Sequence, residues 1–480
     1  INPGVKVYPF KTVEAGAIVN SSIVWESRGA RNLFGRLGVA GLANVDITPE
    51  LAVRLAMAYA TTLKRGSSVT ASRDTSRAAR VLKRAIMVGL NAAGVDVNDL
   101  EVATIPLTRF HVRGEPSGGG VTVRLAPNDP QSVVIRFFDA SGIDINEAAQ
   151  RKIERLFYRE EFRRALAGEI GDISFPARLT EHYTSVLIDD VNLEEIRTAH
   201  MKVVLDYAFG APSFLMPQVL AKLNADVLAV NPYANTRQAM SFDRWRHAGE
   251  VAELVRAAGA HLGAVFDPDG EHLTLVDDSG HVLTDDETLL ALLQLVLETT
   301  ADSGATVALP ISASRVAQEM CRAAGATLIQ TKLSTPHLME VASQPGVDFA
   351  ASQEGGFIFP HFLPAYDAVA TFVKTLGLLA ASGRRLSRVV TSLPRVHIAH
   401  ESVVTPWDKK GSVMRKVVEQ TKDHEQELID GVKVIFEDGW ALVLPDPEEP
   451  ATHVWAEAAT DADARIRAQE YARRIRQMVR

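Results

Sequence analysis

Apolar residues fall along this chain in two alternating rhythms: every third or fourth position over one stretch, then short β-branched runs over the next. The first rhythm predicts helices with one buried face and the second predicts strands. Leu51, Val53, Leu55, Ala56 and Tyr59 line a helix that Thr48 caps and Pro49 opens; a threonine oxygen takes an orphan N–H, and proline has none to leave unpaired. A strand running into a loop is predicted at 69–75. The next helix carries Ala79, Leu82, Ile86 and Leu90 and ends at Gly94. A charged helix is predicted over 147–166. Further strands are predicted at 202–207, 227–230, 262–266, 306–309, 327–331 and 357–359, with helical runs between them. Leu289 to Leu297 is the most apolar run and, broken by Gln294, predicts a buried helix. Residues 395–480 read as strand, helix, strand, strand and helix.

Strands that alternate with helices imply parallel or mixed sheets covered on both faces, an α/β fold class. Three similar α/β domains are expected at 30–165, 166–300 and 301–394, followed by a C-terminal α+β domain at 395–480. The first 29 residues differ. Ile1, Val7, Val13, Val19 and Trp25 recur at a six-residue period with Gly4 and Gly16 between them, which predicts the end of a hexapeptide β-helix. Two ordinary strands are the alternative. A few coils bury little core on their own, so earlier coils are expected upstream. Ile1 in place of methionine is read as a start inside a longer polypeptide.

Bulk properties narrow the function. Hydrophobic residues make up 46% of the 480 and charged residues 23%, ordinary for a globular chain with material for several cores. The net charge of −8 argues against nucleic acid or an anionic membrane as partner, since both demand a basic face. One cysteine, Cys321, excludes a disulfide framework and predicts a reducing cytoplasm. No apolar run approaches the roughly 20 residues of a membrane span.

Two stretches carry candidate chemistry. In Gly118-Gly-Gly-Val-Thr-Val-Arg-Leu-Ala-Pro-Asn-Asp-Pro130, continuing through Gln131 to Asp139, glycines lead into a strand, a sharp turn and a returning strand. Phe266-Asp-Pro-Asp-Gly-Glu-His272 sets alternate carboxylates on a tight turn, an arrangement that can point three oxygens at one hard cation such as magnesium. A solvated acidic turn is the other reading.

The first stretch resembles the active-site segment of the α-D-phosphohexomutases, the phosphomannomutase and phosphoglucomutase family. There the loop reads Thr-Ala-Ser-His-Asn-Pro and the next strand Asn-Gly-Ile-Lys-Phe. Counted back from Phe137-Phe138, the family's phosphorylated serine falls on Ala126, its histidine on Pro127 and its lysine on Arg136, with Asn128 nearby. An alanine cannot carry a phosphoryl group. Arg73-Asp74 match a family Arg-Asp pair, catalytic or structural, and Ala40 stands where the family has an arginine. Thr122, Ser132 and Ser117 are the other hydroxyls near the loop, none at its apex.

The resemblance implies three more loops. Asp267 and Asp269 match the family's magnesium loop, with Glu271 in place of its third aspartate and His272 in place of its arginine; weak Mg2+ binding is what this implies. In the sugar loop, Gln353 takes the glutamate position and Glu354 the serine position, with Gly355 beside them. A one-residue shift would instead give Glu354 to the sugar, and the register stays open. In the phosphate cradle, Leu444, Asp446 and Glu448 replace arginine, serine and threonine, so the donors that phosphate requires are not intact.

Val19 to Trp25 is similar to the closing coil, left-handed in handedness, found after sugar-nucleotidyltransferase domains. The 405–415 segment resembles one in mannose-1-phosphate guanylyltransferase-like fusions, and it also suits a packing helix. Two readings follow from these resemblances. One is a phosphohexomutase-like region without mutase activity, serving an assembly or regulatory role in nucleotide-sugar metabolism. Its partners would be an upstream nucleotidyltransferase domain of the same polypeptide, a sugar phosphate and further copies in a homo-oligomer. The other is an active phosphomannomutase or phosphoglucomutase with an atypical site.

Overall fold

A computed structural model describes residues 5–7, 12–13, 28–29, 33–127, 129–300 and 304–479. The chain divides into two compact units, one of residues 1–282 and 356–385 and the other of residues 283–355 and 386–480.

Unit 1 contains a six-stranded sheet in the order Val39–Leu42, Asp129–Phe138, Ser117–Ala126, Ser68–Arg73, Asp96–Val102 and Ile173–Ser174. Ser68–Arg73 pairs in parallel with both neighbours, while Ser117–Ala126 and Asp129–Phe138 form an antiparallel hairpin. Helices Pro49–Thr62, Arg77–Ala92 and Glu147–Arg159 cover it. Leu55, Tyr59, Val69, Ile86, Val121 and Ile135 meet in its core. Thr48 caps the first helix by accepting the Leu51 N–H, and Pro49 follows, as expected. The 147–166 helix is shorter than expected. It stops at Arg159, with Glu160 left-handed, because Arg163 turns back to donate to the carbonyls of Ala60, Leu63 and Ala93 at 2.7–2.9 Å. Those carbonyls lie at the ends of two helices, where backbone acceptors run short of helical donors; the Ala60 carbonyl also accepts the Leu63 N–H at 3.1 Å.

The unit's second sheet runs Asp226–Val230, Lys202–Asp206, Leu262–Phe266 and Leu273–Asp277, the last strand antiparallel. Helix Arg244–Ala258 packs Val251 and Val255 against it, and Ala368–Ser382 also packs on these strands. The acidic turn at 267–272 joins the antiparallel pair.

In unit 2, Thr306–Pro310 lies between Thr327–Thr331 and Phe349–Ala351, parallel to both. Helix Asp285–Thr299 buries Leu289 to Leu293 and Leu295 to Leu297, the predicted buried helix. Helix Arg315–Ala323 carries the buried Cys321. Beyond residue 395, five antiparallel strands are ordered Ile398–Val404, Ala451–Glu457, Gly439–Pro445, Val432–Phe436 and Gln426–Glu427. Helices Trp407–Gln420 and Asp461–Val479 pack on this sheet, with Val413, Val417, Tyr471 and Ile475 in the core. The sheet has two more strands than the sequence pattern indicated, because Gln426–Glu427 and Val432–Phe436 are short and interrupted by charge.

The predicted β-helix at 1–29 lies mostly outside the described residues. Within them, Thr12–Val13 pairs in parallel with Arg28–Gly29, and no β-helix is seen among the described residues.

Candidate active site

Ala126 ends the outgoing strand of the long hairpin in unit 1 and pairs with Asp129 across a bulge. It and Pro127 form the apex; Asn128 lies outside the described residues. The base of the hairpin is set by Gly119, whose φ of +151 and tight surroundings exclude any side chain: an added Cβ would sit 2.1 Å from the Tyr59 hydroxyl. That hydroxyl donates to the Phe138 carbonyl at 3.0 Å, fixing both strands to the first helix. Among the nearby hydroxyls, Thr122 is buried and accepts from Ser72 and Arg124. Ser117 is buried and donates to backbone carbonyls, and Ser132 sits on the returning strand.

Arg73 and Asp74 do not pair through their side chains. Arg73 is buried and reaches Glu101 at 2.8 Å and the Asp74 carbonyl at 2.9 Å. The Asp74 carboxylate accepts the backbone N–H groups of Ser76 and Leu125, both at 2.7 Å. It therefore ties the hairpin, one residue before Ala126, to the start of helix Arg77–Ala92.

The acidic turn is held by protein donors at every carboxylate. Asp267 Oδ1 accepts from Gly270 N and Glu271 N at 2.6 and 2.8 Å, and Oδ2 meets His272 Nδ1 at 2.9 Å. Gly270, at φ +80, supplies the left-handed residue that such a turn requires. Asp269 Oδ1 accepts from Arg124 NH1 at 2.8 Å. Glu271 is buried, its Oε1 3.0 Å from Arg109 NH2 and its Oε2 in contact with Arg136 NH1. Both arginines also bind Asp144, at 3.0 and 3.1 Å, and Arg109 lies 4.2 Å over the Phe138 ring. Burial pushes the Glu271 carboxyl up, but Arg136 and Arg109 outweigh it and hold it near 2. Asp269 goes the other way: burial, with Asp267 and Asp74 close by, raises it to about 6 despite Arg124. Among the described residues, no group of three or more His, Cys, Asp or Glu side chains is arranged to hold a metal ion.

In unit 2, Gln353 is clamped. It accepts from the Ser312 hydroxyl at 2.5 Å and donates to Asp286 Oδ1 at 3.1 Å, while Glu354 is exposed. Gly355 has φ +80. The cradle turn between Gly439–Pro445 and Ala451–Glu457 is also self-contained. The resemblance set Asp446 and Glu448 where phosphate donors would stand. Instead the Asp446 carboxylate turns inward, accepting from Glu448 N and Glu449 N at 2.7 Å. Its other oxygen meets His453 Nε2 at 3.1 Å, and His453 Nδ1 meets His400 Nε2 at 3.0 Å. Leu444 sits in the strand, half-buried. Lys410, stacked on Trp407, binds the Asp446 and Glu449 carbonyls.

Sequence reasoning passed over Arg109, Arg124, Asp144, Lys410 and the two histidines. Only Arg124 had a visible signal: it is a lone charge inside a β-branched run, on the same strand face as the buried Thr122.

Three family domains match consecutive parts of the chain. They are the phosphoglucomutase/phosphomannomutase alpha/beta/alpha domain I over residues 31–164, domain II over 181–280 and domain III over 284–397. The chain belongs to the α-D-phosphohexomutase family. A phosphoglucomutase/phosphomannomutase of Thermococcus kodakarensis is 28% identical over 441 residues, spanning 90% of this chain and 96% of its own. A relative in Methanopyrus kandleri, described by inference as a phosphoglucosamine mutase, is 27% identical over 93% of this chain and 98% of its own. The crystal structure of a family protein from Burkholderia thailandensis superposes with a TM-score of 0.79 at 19% identity, covering 92% of this chain and 97% of that one. The Aspergillus fumigatus N-acetylphosphoglucosamine mutase, crystallised with GlcNAc-6P and magnesium, gives 0.58 at 12% identity, covering 93% and 96%. The phosphohexomutase architecture expected from the loops is therefore present, with α/β domains followed by an antiparallel C-terminal sheet. These phosphohexomutase relatives support the mutase-family reading; none of them supports a fused nucleotidyltransferase or a β-helix.

Proposed function

We propose that this phosphohexomutase handles hexose phosphates in carbohydrate metabolism without a phosphoserine relay. The observation that carries the reading is Ala126 at the apex of the hairpin, where the family's nucleophile belongs. Phosphoryl transfer on this scaffold is positioning and electrostatics around one accepting oxygen, and alanine offers none. The clamping of Gln353 by Ser312 and Asp286 and the inward turn of Asp446 point the same way, because these groups are spent on the protein itself. A role in assembly or regulation suits a fold kept for its packing.

A second reading is an active phosphomannomutase, phosphoglucomutase or phosphoglucosamine mutase using another hydroxyl. The nearly full-length match to proteins with those names favours it. One experiment separates the two. Purified protein is incubated with mannose 1-phosphate, glucose 1-phosphate and glucosamine 1-phosphate, each with a hexose bisphosphate and magnesium. The first reading expects no 6-phosphate above a protein-free control. Product formation together with a phosphorylated Ser117, Thr122 or Ser132 in the peptide map would establish the second.

A further inference from the structure

We infer that the guanidinium of Arg124 is the resident cation of the acidic turn, standing where a divalent metal would otherwise be gathered, so that this turn works without metal. The observation is that each of the turn's three carboxylates meets a protein donor. Both oxygens of Asp267 are taken, by two backbone N–H groups and His272. Both oxygens of Glu271 are taken, by Arg109 and Arg136. Asp269 faces Arg124 at 2.8 Å.

Magnesium demands six oxygens in near-octahedral array at about 2.0–2.1 Å, and carboxylates committed to three guanidinium groups, a histidine and two backbone N–H groups do not provide it. The residues of this turn do not fit the metal named for the Aspergillus relative.

Arg124 is built into its place. It is buried on the hairpin strand; its Nε donates to Thr122 Oγ1 at 3.0 Å and its NH2 binds the Ala103 carbonyl. A side chain fixed at three points is a structural ion. The turn is further joined to the same region by Ile105 N, which donates to the Asp269 carbonyl at 3.0 Å. The acids that face Arg124 are Asp269 directly, with Asp267 and Asp74 near enough to act on Asp269. Removing Arg124 leaves that group without its cation.

The test reads metal binding and melting, not turnover, so it fails or succeeds separately from the reading of Ala126. In the wild-type protein, Mn2+ titrated under electron paramagnetic resonance should show no stoichiometric uptake, and the melting midpoint should be the same in EDTA and in magnesium. Arg124→Thr should shift the midpoint down, with partial recovery on adding Mn2+. Arg124→Lys, which keeps the charge, should remain indifferent to metal. One Mn2+ bound per wild-type chain and lost in Asp269→Asn would overturn the inference, as would an Arg124→Thr protein that melts like wild type. If Arg124→Thr does not fold, the wild-type titration and Arg124→Lys decide it.

Discussion

At the scale of single residues, Ala126 and Arg124 lie two positions apart on one strand, and the two readings built on them act together. On the proposed reading Ala126 offers no accepting oxygen, while Arg124 is committed to Asp269. Restoring one is not enough. Ala126→Ser should therefore stay unphosphorylated when incubated with glucose 1,6-bisphosphate and magnesium, as read by intact-protein mass; a stable phosphoserine in that variant would contradict this. The alanine at the expected serine position was legible from the count back from Phe137-Phe138. The role of Arg124 was not, because nothing in a strand's own residues says which turn, more than 140 positions downstream, its side chain will meet. Asp446 is the reverse case. Its negative charge was legible, but its direction was fixed by two backbone N–H groups of its own turn, a local competition that side-chain chemistry alone leaves open.

At the scale of elements, periodicity located helices and strands of the α/β core, and the Thr48 cap located the start of one helix. Ends were harder. Residues 160–166 continue a charged, helix-friendly composition, yet the chain leaves the helix at Glu160 because Arg163 binds three carbonyls at the ends of two other helices. Hydrogen bonds from a charged donor contribute about 1.5–3 kcal/mol, so Arg163→Ala should destabilise unit 1 by about that amount in a denaturant titration, well beyond an ordinary surface change. The buried arginine–carboxylate cluster weighs more. Arg109→Met leaves Glu271 and Asp144 short of a partner, and breaking a buried pair from one side costs about 3–5 kcal/mol. The same titration checks it, with Arg151→Met as the control: Arg151 pairs with Glu147 on an exposed helix face, and such pairs contribute about 0.3–0.5 kcal/mol.

At the scale of the molecule, unit 1 holds acids whose proton affinities move in opposite directions, and Glu271 and Asp367 are two that shape its response to pH. Glu271 is held near 2, against an ordinary 4.5. Its folded pKa is depressed, so its contribution is present above pH 4.5 and is lost as pH falls toward 2. Asp367 caps helix Ala368–Ser382 and accepts from the Tyr183 hydroxyl at 2.7 Å; burial raises it to about 7, from an ordinary 3.8. The folded form binds its proton more tightly, so stability is fullest below 3.8 and declines as pH rises to about 7, by up to about 1.4 kcal/mol per unit. Unit 1 should be most stable in mildly acidic solution, and Asp367→Asn should flatten the decline toward neutrality, as urea midpoints at a series of pH values would show. Unit 2 offers a different handle. Burial pushes the thiol of Cys321 up to about 11, and the chain has no second one. In native protein it is both covered and protonated, hence slow toward alkylating reagents. The rate at which such a reagent reacts is then a clock for the opening of that unit alone, read without adding any label to the chain.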